Sequence, residues 1–236
     1  MRIIEPPKAV KIMAIAAHPD DIESWCAGTL ACAVDAGATI HLLLVTSGEH
    51  GSSDLLADPR LVATVREQEA QIAAECLGIK EVTFLRYPDG EVEETHQLRG
   101  ELVKWIRRWQ PDLVFTHDPT HYLPAYLCHR DHRVVGRAAL DAVYPLARDH
   151  LAFAEQIQAG LKSHAVGQVW LFASSQAEAY VNIEPGFERK IEARLAHKSQ
   201  TPDPEALVAA WRTRATIIGE KASLLLAEAF TVLEID

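Results

Sequence analysis

Lys11-Ile-Met-Ala-Ile-Ala-Ala17-His18-Pro19-Asp20-Asp21-Ile22-Glu23 is the stretch on which the reading of the chain depends. The run from Lys11 to Ala17 carries no charge after its first residue, the pattern of a strand buried on both faces of a parallel sheet. Pro19 stops it. An alanine-rich helical stretch, Gly28 to Ala36, follows. The His-Pro-Asp-Asp turn therefore falls at the carboxyl edge of the sheet, where open α/β folds put their ligand sites. His18 and Asp21, three apart, can turn toward one point and share a cation through an imidazole nitrogen and a carboxylate oxygen. Asp20 is left free beside them. The competing reading is that Asp20, Asp21 and Glu23 only cap the next helix, where carboxylates meet unpaired N–H groups and the positive end of the dipole.

A second cluster, His129-Arg130-Asp131-His132, follows another apolar strand, Asp112 to Thr116, and opens a helical pattern from Val134 to Leu146. Both clusters thus sit just past a strand end and can meet across one edge of the sheet. His18, Asp21 and His132 are the expected metal ligands. Two histidines, one carboxylate and a fourth position left to water make the ligand count of a catalytic zinc site; a structural site is closed and richer in cysteine. The same donors also suit a non-haem iron oxygenase, with ferrous iron in place of zinc.

With these motifs in view, the chain resembles the PIG-L/LmbE superfamily of zinc-dependent N-acetylglucosaminyl deacetylases. The resemblance rests on His18-Pro-Asp-Asp-Ile-Glu23 and His129-x-x-His132. Weaker matches extend it over most of the chain: Thr46-Ser-Gly-Glu49, Arg66-x-x-Glu69, Pro88-Asp-Gly90, His197-Lys-Ser-Gln200 and Ala227-Glu-Ala-Phe230. It implies that Asp20 is the general base, that His18, Asp21 and His132 bind zinc, and that His129 is the electrophilic or acid partner at the carbonyl. Such chemistry is coherent, because zinc acidifies its water while a carboxylate takes the proton and an imidazole stabilises the oxyanion. Asp131 is expected to orient one of its neighbouring histidines. Glu49, Arg66 and Asp89 become candidates for holding the sugar; their plain alternatives are a loop carboxylate, an Arg66–Glu69 surface pair and a turn-stabilising Asp. Where many members carry a glycine-rich stretch, Ser24-Trp25-Cys26-Ala27-Gly28 stands here, and Trp25 is expected to fill the core rather than shape the pocket.

The 236 residues suffice for one α/β domain spanning 1–236. The expected fold is a Rossmann-like three-layer α/β/α sandwich with a mostly parallel sheet and a C-terminal portion of extra strands and helices. No Gly-x-Gly-x-x-Gly follows the first strand, which argues against a dinucleotide site. Acidic residues outnumber basic ones 33 to 23, a net charge of −10, so neither nucleic acid nor an anionic membrane is an expected partner. Cys26, Cys32, Cys76 and Cys128 form no Cys-x-x-Cys pair and read as reduced thiols. The start of the chain lacks a signal-like apolar core and no segment has bilayer length. A cytoplasmic enzyme acting on a small amino-sugar conjugate, assembled as a homo-oligomer, is the expectation; a non-catalytic sugar-binding module is the remaining rival, against which the retained Asp20 counts.

Further strands are expected at Thr39–Val45, Glu81–Leu85, Gln168–Phe172 and Ala179–Ile183, with Phe230–Ile235 as an edge strand. Helices are expected at Leu61–Leu77, Leu98–Trp109, from about Phe187, and from Asp203-Pro204 to about Ala227. His41 belongs in the core, as do Trp105 and Trp109. Residues 51–60 read as a loop over the site, and residues 116–128 as one wall of the pocket. In that wall His117 and His121 read as solvated, spare histidines. Nothing in its spacing requires His197 to reach the pocket.

Overall fold

The structure, a computed structural model, describes residues 1–120 and 129–235. His121 and Cys128, with most of the expected pocket wall, lie outside the described residues.

Strand β2 (Lys11–Ala16) runs up the centre of the molecule with every residue after Lys11 buried. Its side chains alternate between two cores. Ile12, Ala14 and Ala16 face one apolar layer, while Met13, Ile15 and Ala17 face the other. That two-sided burial is why the run carries no polar residue at either period.

The chain continues through α1 (Asp21–Trp25), α2 (Ala27–Asp35), β3 (Thr39–Thr46), α3 (Pro59–Leu77), β4 (Glu81–Tyr87), α4 (His96–Trp109), β5 (Leu113–His117) and α5 (Arg130–Asp141). After a π-type turn at Ala142–Leu146 come α6 (Ala154–Gln158), β6 (Gln168–Phe172), β7 (Ala179–Asn182), α7 (Phe187–Ala196), α8 (Pro204–Glu220) and β8 (Ala227–Glu234). A two-residue strand, β1 (Arg2–Ile3), precedes them all.

The eight strands are ordered β1-β7-β8-β6-β5-β2-β3-β4. β4, β3, β2, β5 and β6 are parallel, and β8 runs antiparallel to both β6 and β7. Helices α4 and α5 cover one face; α2, α3 and α7 cover the other. This is the expected α/β sandwich. From β2 the chain moves outward to β3 and β4, then returns to β5 on the other side. The crevice at that reversal, above the carboxyl ends of β2 and β5, is where such sheets bind ligands.

Local chemistry explains the helix bounds. Asp58 caps α3 through its side chain to the Arg60 amide, Pro59 takes the first turn, and Gly78 at φ 79° ends it. Thr95 caps α4 and Asp203 caps α8 in the same way. His41 is buried, with Nε2 2.8 Å from Thr83 Oγ1, and Trp105 and Trp109 pack against the core beside it.

Two expectations fail in the C-terminal part. β8 is no edge strand: it is inserted between β6 and β7, and β1 closes the edge instead. α8 stops at Glu220 rather than near Ala227. The chain turns there, with the Ala222 and Leu224 amides both donating to the Gly219 carbonyl, and strand pairing begins only at Ala227.

Candidate metal centre

His18 and Asp21 leave the end of β2 through a turn whose backbone fixes both side chains. The His18 amide donates to Asp21 Oδ2 at 2.7 Å. Asp21 Oδ1 is then turned outward, 3.1 Å from Nε2 of His132 on the first turn of α5. His18 Nδ1 lies 3.2 Å from that same His132 nitrogen and 3.5 Å from Asp21 Oδ2. A tetrahedral cation with bonds of about 2.0–2.2 Å needs donors about 3.3–3.6 Å apart, so these spacings fit a zinc-sized ion. The expected ligands are brought together. The capping reading fails for Asp20, which holds the N-cap position of α1 without a side-chain cap hydrogen bond, while Asp21 and Glu23 do stand in the first turn.

The charge balance also fits a cation. Asp21, Asp89 and Asp131 are all buried. Burial opposes ionisation of Asp21, yet the imidazoles beside it, His132 foremost, hold its carboxyl well below the usual range. Burial likewise opposes a charge on His18, but Asp131, Asp21 and Asp89 outweigh it and raise the imidazole well above its ordinary value. Asp89, against burial, is pulled down to about 2 by His18.

His18 Nε2 faces Asp89 Oδ1 at 3.0 Å and Asp131 Oδ2 at 3.4 Å. A ligating imidazole ordinarily gives its second N–H to a carboxylate, which sets its tautomer and orientation. Asp89 and Asp131 stand in that position toward His18. Asp131 was expected to orient a sequence neighbour; it turns instead to His18 and accepts from the Gly90 amide at 2.7 Å, because the first turn of a helix points its carboxylate away from the rings next to it. Asp89, expected at the sugar, is committed to His18 and to the His50 amide.

His129 is exposed, its ring edge-on to His18 at 4.7 Å. Its Nδ1 accepts the Asp131 amide at 3.2 Å, capping α5. That leaves Nε2 for a ligand. Partial desolvation and the neighbouring imidazoles of His18 and His132 lower its pKa.

Asp20 stands on the other side with a carboxylate one-fifth exposed. Burial pushes its carboxyl up, and the guanidiniums of Arg66 and Arg194 pull against that. Arg66 Nη2 donates to Asp20 Oδ1 at 3.2 Å, and Arg194 Nη2 is 3.6 Å from Oδ2. Arg66, expected to touch substrate, is buried, and its other bonds go to the Pro19 and Gly48 carbonyls. Glu49 is half-buried and accepts the Asp89 amide at 2.9 Å.

Trp25 packs against the core, as expected. It also walls a separate cavity of about 160 Å³ shared with Lys190, Trp211 and Arg214.

Sequence reasoning missed His117 and Arg194. His117 is no solvated loop residue: it is the last residue of β5, fully buried, with its ring stacked on His132 at 4.2 Å. The Ala17 amide donates to its Nε2 at 3.1 Å. Asp21 Oδ2 lies 3.2 Å from the same nitrogen, so Asp21, His117 and His132 also form a group able to hold a cation. Burial and His132 push its pKa down to about 4, in keeping with a neutral ring. Extending the apolar run Asp112–Thr116 by one residue was the available signal. Arg194 had none beyond lying one helical turn before His197. His197 is buried too, 3.7 Å from Glu23.

The chain is similar to known proteins. A family model described as PIG-L, GlcNAc-PI de-N-acetylase, matches residues 13–143, which hold both motifs. Diacetylchitobiose deacetylase of Thermococcus kodakarensis is 32% identical over 203 residues, 86% of this chain and 74% of that protein. Probable N-acetyl-alpha-D-glucosaminyl L-malate deacetylase 2 of Bacillus cereus is 25% identical, across 80% of this chain and 83% of its own. The structure of N,N'-diacetylchitobiose deacetylase from Pyrococcus horikoshii, complexed with its inhibitor MPG, superposes with a TM-score of 0.89 at 29% identity, covering 96% of this chain and 84% of the other. With the family model spanning more than half of its length, the chain belongs to the PIG-L family of deacetylases.

Proposed function

We propose that the protein is a zinc-dependent hydrolase that removes an N-acetyl group from a GlcNAc-type sugar or glycoconjugate. The observation that carries this is the approach of His18 Nδ1 and Asp21 Oδ1 to His132 Nε2, at 3.2 and 3.1 Å, beside an Asp20 carboxylate that serves none of them. His18, Asp21 and His132 would hold the ion, with Asp89 and Asp131 fixing His18. Zinc bound there supplies Lewis acidity toward the amide carbonyl and lowers the pKa of water toward neutrality.

The chain's own groups supply the proton transfers. Asp20 takes the proton from the attacking water. His129, with Nδ1 already occupied by a backbone amide, presents Nε2–H to the carbonyl oxygen as negative charge develops on it. The leaving nitrogen takes up the proton collected on Asp20. On the substrate side Glu49, whose carboxylate is only half covered, is the group offered to a sugar hydroxyl.

Diacetylchitobiose is the first substrate to try, since two of the relatives bear that name. The relatives give the iron-oxygenase reading no support. The proposal extends to a cytoplasmic homo-oligomer with no nucleic-acid partner. Among the described residues no helix is long and apolar enough to cross a membrane, and Cys26 and Cys32 are buried free thiols.

The test is acetate and amine release from diacetylchitobiose, GlcNAc-malate and GlcNAc-inositol by zinc-loaded protein, with Asp20→Asn alongside. Release that falls about 10²–10⁴-fold in the variant is expected. Release from none of the three, with zinc bound in full, would overturn the reading.

A further inference from the structure

The cavity of about 160 Å³ beside Trp25 lies outside the metal centre and has a composition of its own. Trp25, Ile183, Trp211 and Ile218 give it apolar walls, and Lys190, Arg214, Lys221 and Glu228 are the ionic groups among its lining residues. Three cations against one carboxylate make a positive recess in a chain whose net charge is −10. Lys221 and Ser175 are exposed and mark its mouth, whereas Lys190 and Glu228, 3% and 4% exposed, form its floor.

The one carboxylate is already used. Glu228 accepts the Lys190 ammonium at 2.6 Å and the Gly28 amide at 3.1 Å on Oε1, and the Thr29 amide at 2.8 Å on Oε2. The floor charges therefore cancel, and the Arg214 guanidinium sets the sign of the space above them. Two indoles orient that guanidinium: Cζ lies 4.5 Å from the Trp25 ring centroid and 5.2 Å from that of Trp211, and the group donates to the Ser24 carbonyl. Stacking on aromatic faces fixes the plane of the fork and keeps part of its water away, which strengthens its pull on an anion.

Size and polarity narrow the ligand. An apolar cavity of about 150 Å³ admits benzene, so this recess takes a molecule of about that size. An arginine fork pairs a carboxylate or a phosphate with the same two bonds. The dianionic form of phosphate brings more charge than one guanidinium balances, and it sets unpaired oxygens against indole and isoleucine. A carboxylate with an apolar tail satisfies both ends.

We propose that this cavity is a binding site for a small monocarboxylate, with the carboxylate on Arg214 and the tail against Ile183 and Ile218. Acetate, the acid released in the proposed reaction, is a short member of that class; the site itself does not depend on the role given to Asp20.

Butyrate is the probe, titrated into the zinc-loaded protein by calorimetry and by tryptophan fluorescence, which reads the cavity through Trp25 and Trp211. Saturable binding with a Kd under about 10 mM is expected. Butyramide, of the same shape without the charge, and inorganic phosphate should each bind at least about tenfold more weakly. Arg214→Met keeps a stem across the indoles and should weaken butyrate about 10–100-fold. Ala177→Leu, which fills the recess from its wall and leaves every charge in place, should weaken it as much, and it carries the test if Arg214→Met fails to fold. No saturation by about 10 mM in either measurement overturns the site. So does butyramide or phosphate binding as tightly as butyrate, or butyrate affinity unchanged in either folded variant, the result a carboxylate bound on the zinc would give.

Discussion

His117→Ala separates a residue that shapes the metal site from one that ligates it. The ring is 1% exposed, stacked on His132 at 4.2 Å and edge-on to Phe172 at 4.6 Å. Truncation leaves the Ala17 amide buried without an acceptor, a cost of about 1–3 kcal/mol. A large-to-small change in a packed core costs about 2–5 kcal/mol. Because both terms describe one side chain they overlap, and a net loss of about 3–5 kcal/mol is expected, a large share of the ~5–15 kcal/mol typical of a domain. Asp21 Oδ2, 3.2 Å from Nε2, also loses a neighbour that fixes it. Zinc affinity should then fall about 10–100-fold, the usual penalty for removing a group that orients a ligand, or about 1.4–2.7 kcal/mol. His117→Gln offers an acceptor again and should recover most of both losses. Urea unfolding of the metal-stripped protein reads the first quantity, and chelator competition for zinc reads the second. Equal stability of His117→Ala and the parent would refute the hydrogen-bond argument. A loss of zinc affinity beyond about 10³-fold in His117→Gln as well would make His117 a ligand, as the grouping of Asp21, His117 and His132 allows.

Two further outcomes follow from buried contacts. Glu228 accepts the Gly28 and Thr29 amides and pairs with buried Lys190 at 2.6 Å. Glu228→Ala strands that ammonium and the first turn of α2, so urea unfolding should show a loss of about 3–5 kcal/mol, and a loss under about 1 kcal/mol would contradict the pairing. At Gly136 an added Cβ would meet the His117 carbonyl oxygen. Gly136→Ala should push α5 off β5, costing about 1–3 kcal/mol, and should weaken zinc binding by moving His132; a stable variant with unchanged zinc affinity would show that α5 can be displaced without disturbing the site.

The legible part of the fold was the part set by local pattern. An uncharged run with no period marks a strand that must bury both faces, and β2, β3 and β5 obeyed it. Asp58-Pro59, Asp203-Pro204 and Gly78 carry their capping chemistry in the residue itself. β8 could not be placed, because the same apolar run pairs as readily at an edge as between two strands, and only the positions of β6 and β7 choose.

The site divides along the same line. By itself the sequence determined which donors stand at strand ends: the three-residue spacings of His18–Asp21 and His129–His132 are local facts. Only the tertiary structure decided where the remaining polar side chains point. Arg66, Asp89 and Asp131 look alike in sequence, as polar groups at the mouth of a sheet, yet all three turn inward to Asp20 or His18. His117 and Arg194 reach the centre across gaps of about a hundred residues or more from their partners. The reason is that a long or planar polar side chain finds its partner by distance in space, and burying it unpaired would cost more than the fold can spare.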